Sequence, residues 1–276
     1  LEQSGYGIVR SPQPSGREDH SSAGYLTLMA GFHSRTHKHC DDLSITWFDA
    51  GEELLIDAGR FGYLDQLPLD SPLREQGFFY GRPERQYVER TLAHNTVEAD
   101  GRDHERRRRA PYGSAIETGE QDGSLFRLVG YVDHGSWSHR RSLAYAPGKW
   151  LKVEDELQSR DGEPHDFQVW WNLPATLTEP RVNDGAVTFS LAGGGVLQVT
   201  SLAEAQLVPP VKGQREPLRG WRSGSSVRTE DADGVVRVLA DAQSVWTFDD
   251  AEELPARSPR AALSVEGPLG AVLRRP

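Results

Sequence analysis

The sequence predicts an all-β protein built as a large antiparallel two-sheet β-sandwich. Three observations carry that reading. Short runs rich in β-branched and aromatic residues recur along the chain. Turn-forming residues separate most of them. No apolar period near 3.6 residues is sustained, and 28 glycines and 17 prolines oppose long amphipathic helices.

The strand runs, in order, are residues 25–29, 43–48, 53–56, 96–98, 125–132, 151–157, 167–171, 186–191 and 196–200, with a further short run at 261–265. Between them, Asp49-Ala-Gly51, Asp122-Gly123, Pro147-Gly148, Asp161-Gly162, Asn183-Asp-Gly185 and Asp233-Gly234 supply residues that accept positive φ or local side-chain bonds, as hairpin ends require. Residues 11–22 read as a polar loop, and 64–86 are weakly patterned. A sandwich of 276 residues forms one unit by default. We therefore expect one domain over residues 1–276: 1–24 a leading segment and loop, 25–200 the motif-bearing sheets, and 201–276 the remaining strands.

With 37% hydrophobic and 26% charged residues the composition is that of an ordinary globular protein. No apolar run is long enough to insert into a membrane. A net charge of −10 argues against nucleic acid as partner, since phosphate binding needs a basic face. The basic run Arg106 to Arg109 reads as a solvated edge or loop, with a groove wall for an anionic polymer as the alternative. The chain opens on Leu1-Glu2-Gln3, so the lack of a signal segment fixes no location. A single cysteine, Cys40, rules out an internal disulfide and a thiolate cluster, so any metal must use histidine and carboxylate.

His37-Lys38-His39 precedes a strand. If extended geometry already holds there, both imidazoles point to one side. Asp57 ends the run Leu54-Leu-Ile56, and the turn at Asp49 to Gly51 folds that run back towards His39. His94 opens another strand in Ala93-His-Asn-Thr-Val97. Two imidazoles and a carboxylate with one open position suit Zn2+, with Mn2+, Fe2+ and Ni2+ also possible ligand acceptors. Asp41 and Asn95 suit turn formation or orientation of the imidazoles. Tyr63 and Tyr80 are the nearest polar aromatics. His33 reads as a loop histidine, and His104, His134, His139 and His165 carry no ligand spacing with the trio, so they read as surface or core. Trp170 and Trp171 alternate faces on a strand, placing one ring in the core and leaving the other to stack on a sugar.

The run His37-Lys-His39-Cys-Asp41-Asp-Leu-Ser44, then Leu55-Ile-Asp57-Ala-Gly59 with Tyr63, then Ala93-His-Asn-Thr-Val97 and Asp100-Gly101, resembles the heparinase II/III-like polysaccharide lyases in order and spacing. The likeness reaches upstream to Gly5–Arg10 and downstream through 141–157, and fades after about residue 200. It implies a β-sandwich that follows an α/α-toroid in the same parent protein, with zinc on His39, Asp57 and His94 and with His37 at the catalytic cleft. It also implies β-elimination at a uronic acid of an acidic polysaccharide or oligosaccharide, and is compatible with a periplasmic or secreted location. The family's catalytic tyrosine belongs to the toroid, which this chain lacks, so the resemblance leaves activity by the chain alone in question. Two rivals stand beside it. One is a non-catalytic carbohydrate-binding or structural domain stapled by zinc. The other is a cupin-like metalloenzyme, against which Leu43 stands where cupins usually place a glutamate.

Overall fold

The computed structural model describes residues 2–10, 23–34, 37–49, 51–106, 112–183, 186–201, 206–207, 210–223, 242–244, 246–254 and 261–268. All strand pairings among them are antiparallel.

One layer is an eight-stranded sheet in the order Thr178–Asn183, Ala186–Ser190, Val196–Ser201, Ala261–Pro268, Trp150–Ser159, Trp137–Ala146, Leu125–Asp133, Ile116–Asp122. Its longest ladder runs from Trp137 opposite Ser159 to Ala146 opposite Trp150. Gly148, at φ 72°, closes that hairpin. Asp49 secures it by accepting hydrogen bonds from the Tyr145 hydroxyl at 2.6 Å and the Gly148 N–H at 2.8 Å.

The antiparallel β-sandwich expected from the sequence is present, with its opposing layer divided between two sheets. That layer consists of a four-stranded sheet, Tyr6–Arg10, Tyr25–Met29, Ser44–Asp49 and Glu52–Leu55, and a five-stranded sheet centred on His165–Leu173. The two meet where the Ile56 N–H donates to the Asn172 carbonyl at 2.9 Å. One continuous core joins all three sheets: Leu26, Ile45 and Leu54 from the first, Val97, Phe167 and Trp171 from the second, Leu143, Val153 and Phe189 from the eight-stranded sheet. Period-2 alternation explains the selection. In Tyr25–Met29, Leu26 and Leu28 are fully buried while Thr27 meets Thr46 on the other face. Each such aliphatic side chain contributes about 1.5–3 kcal/mol by leaving water.

The nine earlier strand runs and the one at 261–265 are all present, with ends shifted by at most two residues except that the last run extends three further, to Pro268. Several strands carry weaker patterns, and Trp137–Ala146 is the most informative. Its inward positions include His139 and Arg141, which read as polar in sequence but are buried against Asp155. The only α-helices among the described residues, Pro72–Glu75 and Pro83–Glu89, lie in or next to the weakly patterned stretch and begin on proline, whose fixed φ suits the first helical position. Arg106 corrects the expectation of a solvated basic run: it is buried over the Phe78 ring, donating to Lys38 O at 2.8 Å and Glu89 Oε2 at 3.0 Å. Arg107 to Arg109, the loop 11–22 and the turn at Asp233-Gly234 lie outside the described residues.

Candidate metal centre and adjoining cleft

The His37–Leu43 loop is held from several sides. Lys38 Nζ pairs with Asp41 and, at 3.0 Å, with Asp42 Oδ1. The Cys40 N–H donates to Glu89 O at 2.9 Å, and Ser44 N–H donates to Asp41 O at 3.1 Å. Asp41 is thus a turn former, its carboxylate on Lys38. His37 and Leu43 both adopt left-handed backbone, at φ 63° and 55°, a conformation uncommon for either residue type. This overturns the extended His-x-His geometry. His37 turns to the exposed Tyr63, whose hydroxyl lies 3.1 Å from His37 Nδ1, whereas the His39 ring lies beside His94, centroids 5.4 Å apart.

Asp57 follows the strand Glu52–Leu55, and two contacts aim its carboxylate. Oδ1 accepts the Gly59 N–H at 2.8 Å, and Oδ2 accepts from His94 Nδ1 at 2.8 Å. His94 is fully buried just after the short turn Thr91–Ala93, with its N–H on Thr91 O. Beneath it, Asn95 ties three segments together: its Nδ2 donates to Ile45 O at 2.7 Å and Ile56 O at 2.8 Å, and its Oδ1 accepts the Asn172 N–H at 2.7 Å. Asn95 therefore acts on the trio through backbone position, because its amide is fully engaged elsewhere.

Two imidazoles and a carboxylate are a donor set of the kind that holds a cation, although the three ligand atoms do not gather within 4.8 Å of one another as those of Asp42, His104 and His134 do. Around one tetrahedral zinc, two bound imidazoles stand with centroids about 5 Å apart, close to the His39–His94 spacing. Burial pushes His39 down to about 3, leaving a neutral ring with a lone pair. Burial opposes ionisation of Asp57, but His94 and the Gly59 N–H hold its carboxyl below the ordinary range. Burial likewise opposes charge on His94, and Asp57 outweighs it to raise the imidazole. With Nδ1 engaged by Asp57, His94 Nε2 is buried without a hydrogen-bond partner.

Beside the trio lies a cluster of aromatic and cationic side chains. Tyr63 is 38% exposed, and its ring is 5.2 Å from that of Tyr80. Arg60 and Arg85 stand over the Tyr63 ring at 4.7 and 5.1 Å. Arg85 is buried and anchored on Glu89 Oε1 through Nε at 2.6 Å. Its spacing to Glu89, four residues on one short helix, is the one sequence signal that marks it.

A second grouping had no signal in the sequence. Asp42, His104 and His134 each offer one ligand atom, all within 4.8 Å of one another. They are the one such set of three among the described residues. His104, His139 and His165 are buried, as a core reading allows, and His134 is half-buried. Neither tryptophan of the pair is free for a sugar: Trp171 is in the core, and Trp170 is buried beneath Arg219 with its indole N–H on Glu98.

A family model described as heparinase II/III-like, C-terminal, matches residues 1–267. The chain belongs to this family. No curated protein sequence matches it. Among solved structures, the chain is similar to heparan sulfate lyase HepC from Pedobacter heparinus, at TM-score 0.69 and 16% identity over 97% of this chain and 35% of that one. It is also similar to a heparinase III, at TM-score 0.66 and 14% identity over 97% and 36%. The heparinase II/III-like chain thus spans about a third of the length of the solved structures it matches. No helix among its described residues is long and apolar enough to cross a membrane.

Proposed function

We propose that this chain is the metal-binding β-domain of a polysaccharide lyase that cleaves a uronic-acid-containing acidic polysaccharide by β-elimination, completed by an α/α-toroid in the same parent protein. The observation that carries the reading is the junction of two settings on one loop: His39 beside His94 and Asp57, and His37 on the exposed Tyr63. Family membership and the lyase titles of the similar structures support it.

His39, Asp57 and His94 would hold Zn2+ or a similar divalent transition metal. Such an ion supplies positive charge and rigidity at the cleft. β-Elimination removes the proton at C5 of the uronate, neutralises its carboxylate and protonates the leaving glycosidic oxygen. His37, an exposed imidazole, is the chain's candidate for exchanging a proton with substrate or neutralising the carboxylate, because its ring stands at the surface against the Tyr63 hydroxyl. Tyr63 fixes that ring from the Nδ1 side, and Arg60 adds positive charge over the Tyr63 ring. Asp41 and Asn95 fix the loop and strand positions from which the ligands project.

The parent protein should release unsaturated uronate from acidic polysaccharides, followed by ultraviolet absorbance, with His37→Ala slowed by about 100-fold or more. Equal rates for His37→Ala and wild type would remove His37 from catalysis. Elemental mass spectrometry of purified protein should show one equivalent of transition metal lost in His39→Ala/Asp57→Ala. Unchanged metal content would remove the trio.

A further inference from the structure

We propose that Asp42, His104 and His134 form a second site for a divalent transition metal, sharing no ligand with His39, Asp57 and His94, that fastens the histidine-bearing loop to the eight-stranded sheet. The three come from separate segments: the 37–43 loop, the stretch after Val97–Ala99, and the end of Leu125–Asp133. Three ligand atoms within 4.8 Å lie near the spacing of a shared ion, where neighbouring ligands sit about 3.4 Å apart.

The decisive contact is between His104 and Asp42. His104 Nε2 lies 2.6 Å from the Val97 carbonyl, which can only accept, so Nε2 carries the hydrogen and Nδ1 holds a lone pair. That Nδ1 is buried, has no hydrogen-bond partner, and faces Asp42 Oδ2 at 3.6 Å. A lone pair and a carboxylate oxygen facing each other in the interior repel. At 3.6 Å they are too far apart for a hydrogen bond and close to the separation of two ligands on one cation. Lys38 Nζ sits 3.0 Å from the other oxygen, Oδ1, and Oδ2 is the oxygen directed at His104.

His134 completes the set. Its ring lies 4.6 Å from that of His104 and stacks on Trp137 at 4.0 Å with 14° between planes, which limits its rotation. Two imidazoles and one carboxylate select Zn2+, Co2+ or Ni2+ over Ca2+ or Mg2+, which prefer all-oxygen shells. An ion here joins the residue three positions after His39 to the hairpin that carries Trp137, so its effect on the cleft is through loop position.

The test uses the full chain stripped with chelator and titrated with Zn2+ alone, bound metal being counted after gel filtration. In a His39→Ala/Asp57→Asn background about one equivalent should remain, and adding His134→Ala should remove it. No bound zinc in that background, or an unchanged equivalent after His134→Ala, overturns the proposal. Because the two sites share no ligand, failure of the trio reads differently: His39→Ala/Asp57→Asn then binds as much as wild type while His134→Ala still loses one equivalent. Should His134→Ala fold poorly, His134→Cys loaded with Co2+ should gain a sulfur-to-cobalt charge-transfer band that the wild type lacks. A folded His134→Cys protein without the band also overturns the site.

Discussion

Arg141 grips Asp155 inside the core through two hydrogen bonds, Nε to Oδ1 at 2.6 Å and Nη2 to Oδ2 at 2.8 Å, both side chains fully buried. The remaining guanidinium nitrogen donates to the carbonyls of Leu43 at 2.9 Å and Asn95 at 2.5 Å. The pair therefore does more than neutralise itself: it carries the eight-stranded sheet's rigidity to the two segments that present His39 and His94. Removing one partner strands a buried charge, so Asp155→Asn should lower stability by about 3–5 kcal/mol, measured by urea unfolding. A loss below about 1 kcal/mol would mean that Arg141 finds water or another acceptor.

Asn95 should matter to metal affinity without touching metal. Asn95→Ala leaves two buried carbonyls and one N–H without their partner. At about 1–3 kcal/mol for each unsatisfied group, partly relieved by relaxation, the expected cost is about 3–5 kcal/mol. Zinc affinity at the trio should fall by about 10–100-fold, the range for residues that support ligands. Competition with a chromogenic chelator measures it, and an unchanged affinity in a folded variant would confine Asn95 to fold stability.

The sequence was most legible where local chemistry is strong. Alternation in Tyr25–Met29 and the turn at Asp49 to Gly51 were enough to bring Asp57 back beside the His39 loop. What stayed hidden depends on tertiary context. A left-handed φ at His37 has no local marker, so the two histidines of the motif look parallel in sequence and diverge in space. Arg141 and His139 are polar residues whose burial becomes intelligible only once Asp155 is placed on the adjacent strand. Asp42, His104 and His134 lie too far apart along the chain for any spacing rule to connect them.

Gly59 is required by both conformation and space. Its φ is 81°, and a Cβ would stand 2.9 Å from the Ser223 carbonyl oxygen, while its N–H is the donor that orients Asp57 Oδ1. Gly59→Ala should cost about 1–3 kcal/mol from backbone strain and weaken zinc binding at the trio by displacing that donor. Thermal unfolding and metal titration of one sample report both. Wild-type behaviour in both would show that the loop to Ser223 yields freely.

Acid should weaken the fold through the cluster beneath the trio. Burial lowers His139 to about 4, so the folded ring stays neutral while the unfolded chain, near 6.5, takes up a proton. Burial would raise Asp155, but Arg141 and His139 hold it below the ordinary carboxylate range. For both groups the unfolded state binds more protons, so stability rises with pH across their windows. The His139 contribution is whole above about pH 6.5 and drains as pH falls towards 4; that of Asp155 persists above about pH 4 and is lost below it. In chelator-treated protein the urea midpoint should fall from pH 7 to pH 4.5. His139→Gln keeps a donor for Asp155 without a titrating ring, so it should flatten the upper part of that slope and leave the steeper loss below pH 4. If His139→Gln tracked wild type over the whole range, the mid-acid loss would have to come from another buried histidine, with His104, likewise lowered to about 4 by burial, the first to substitute.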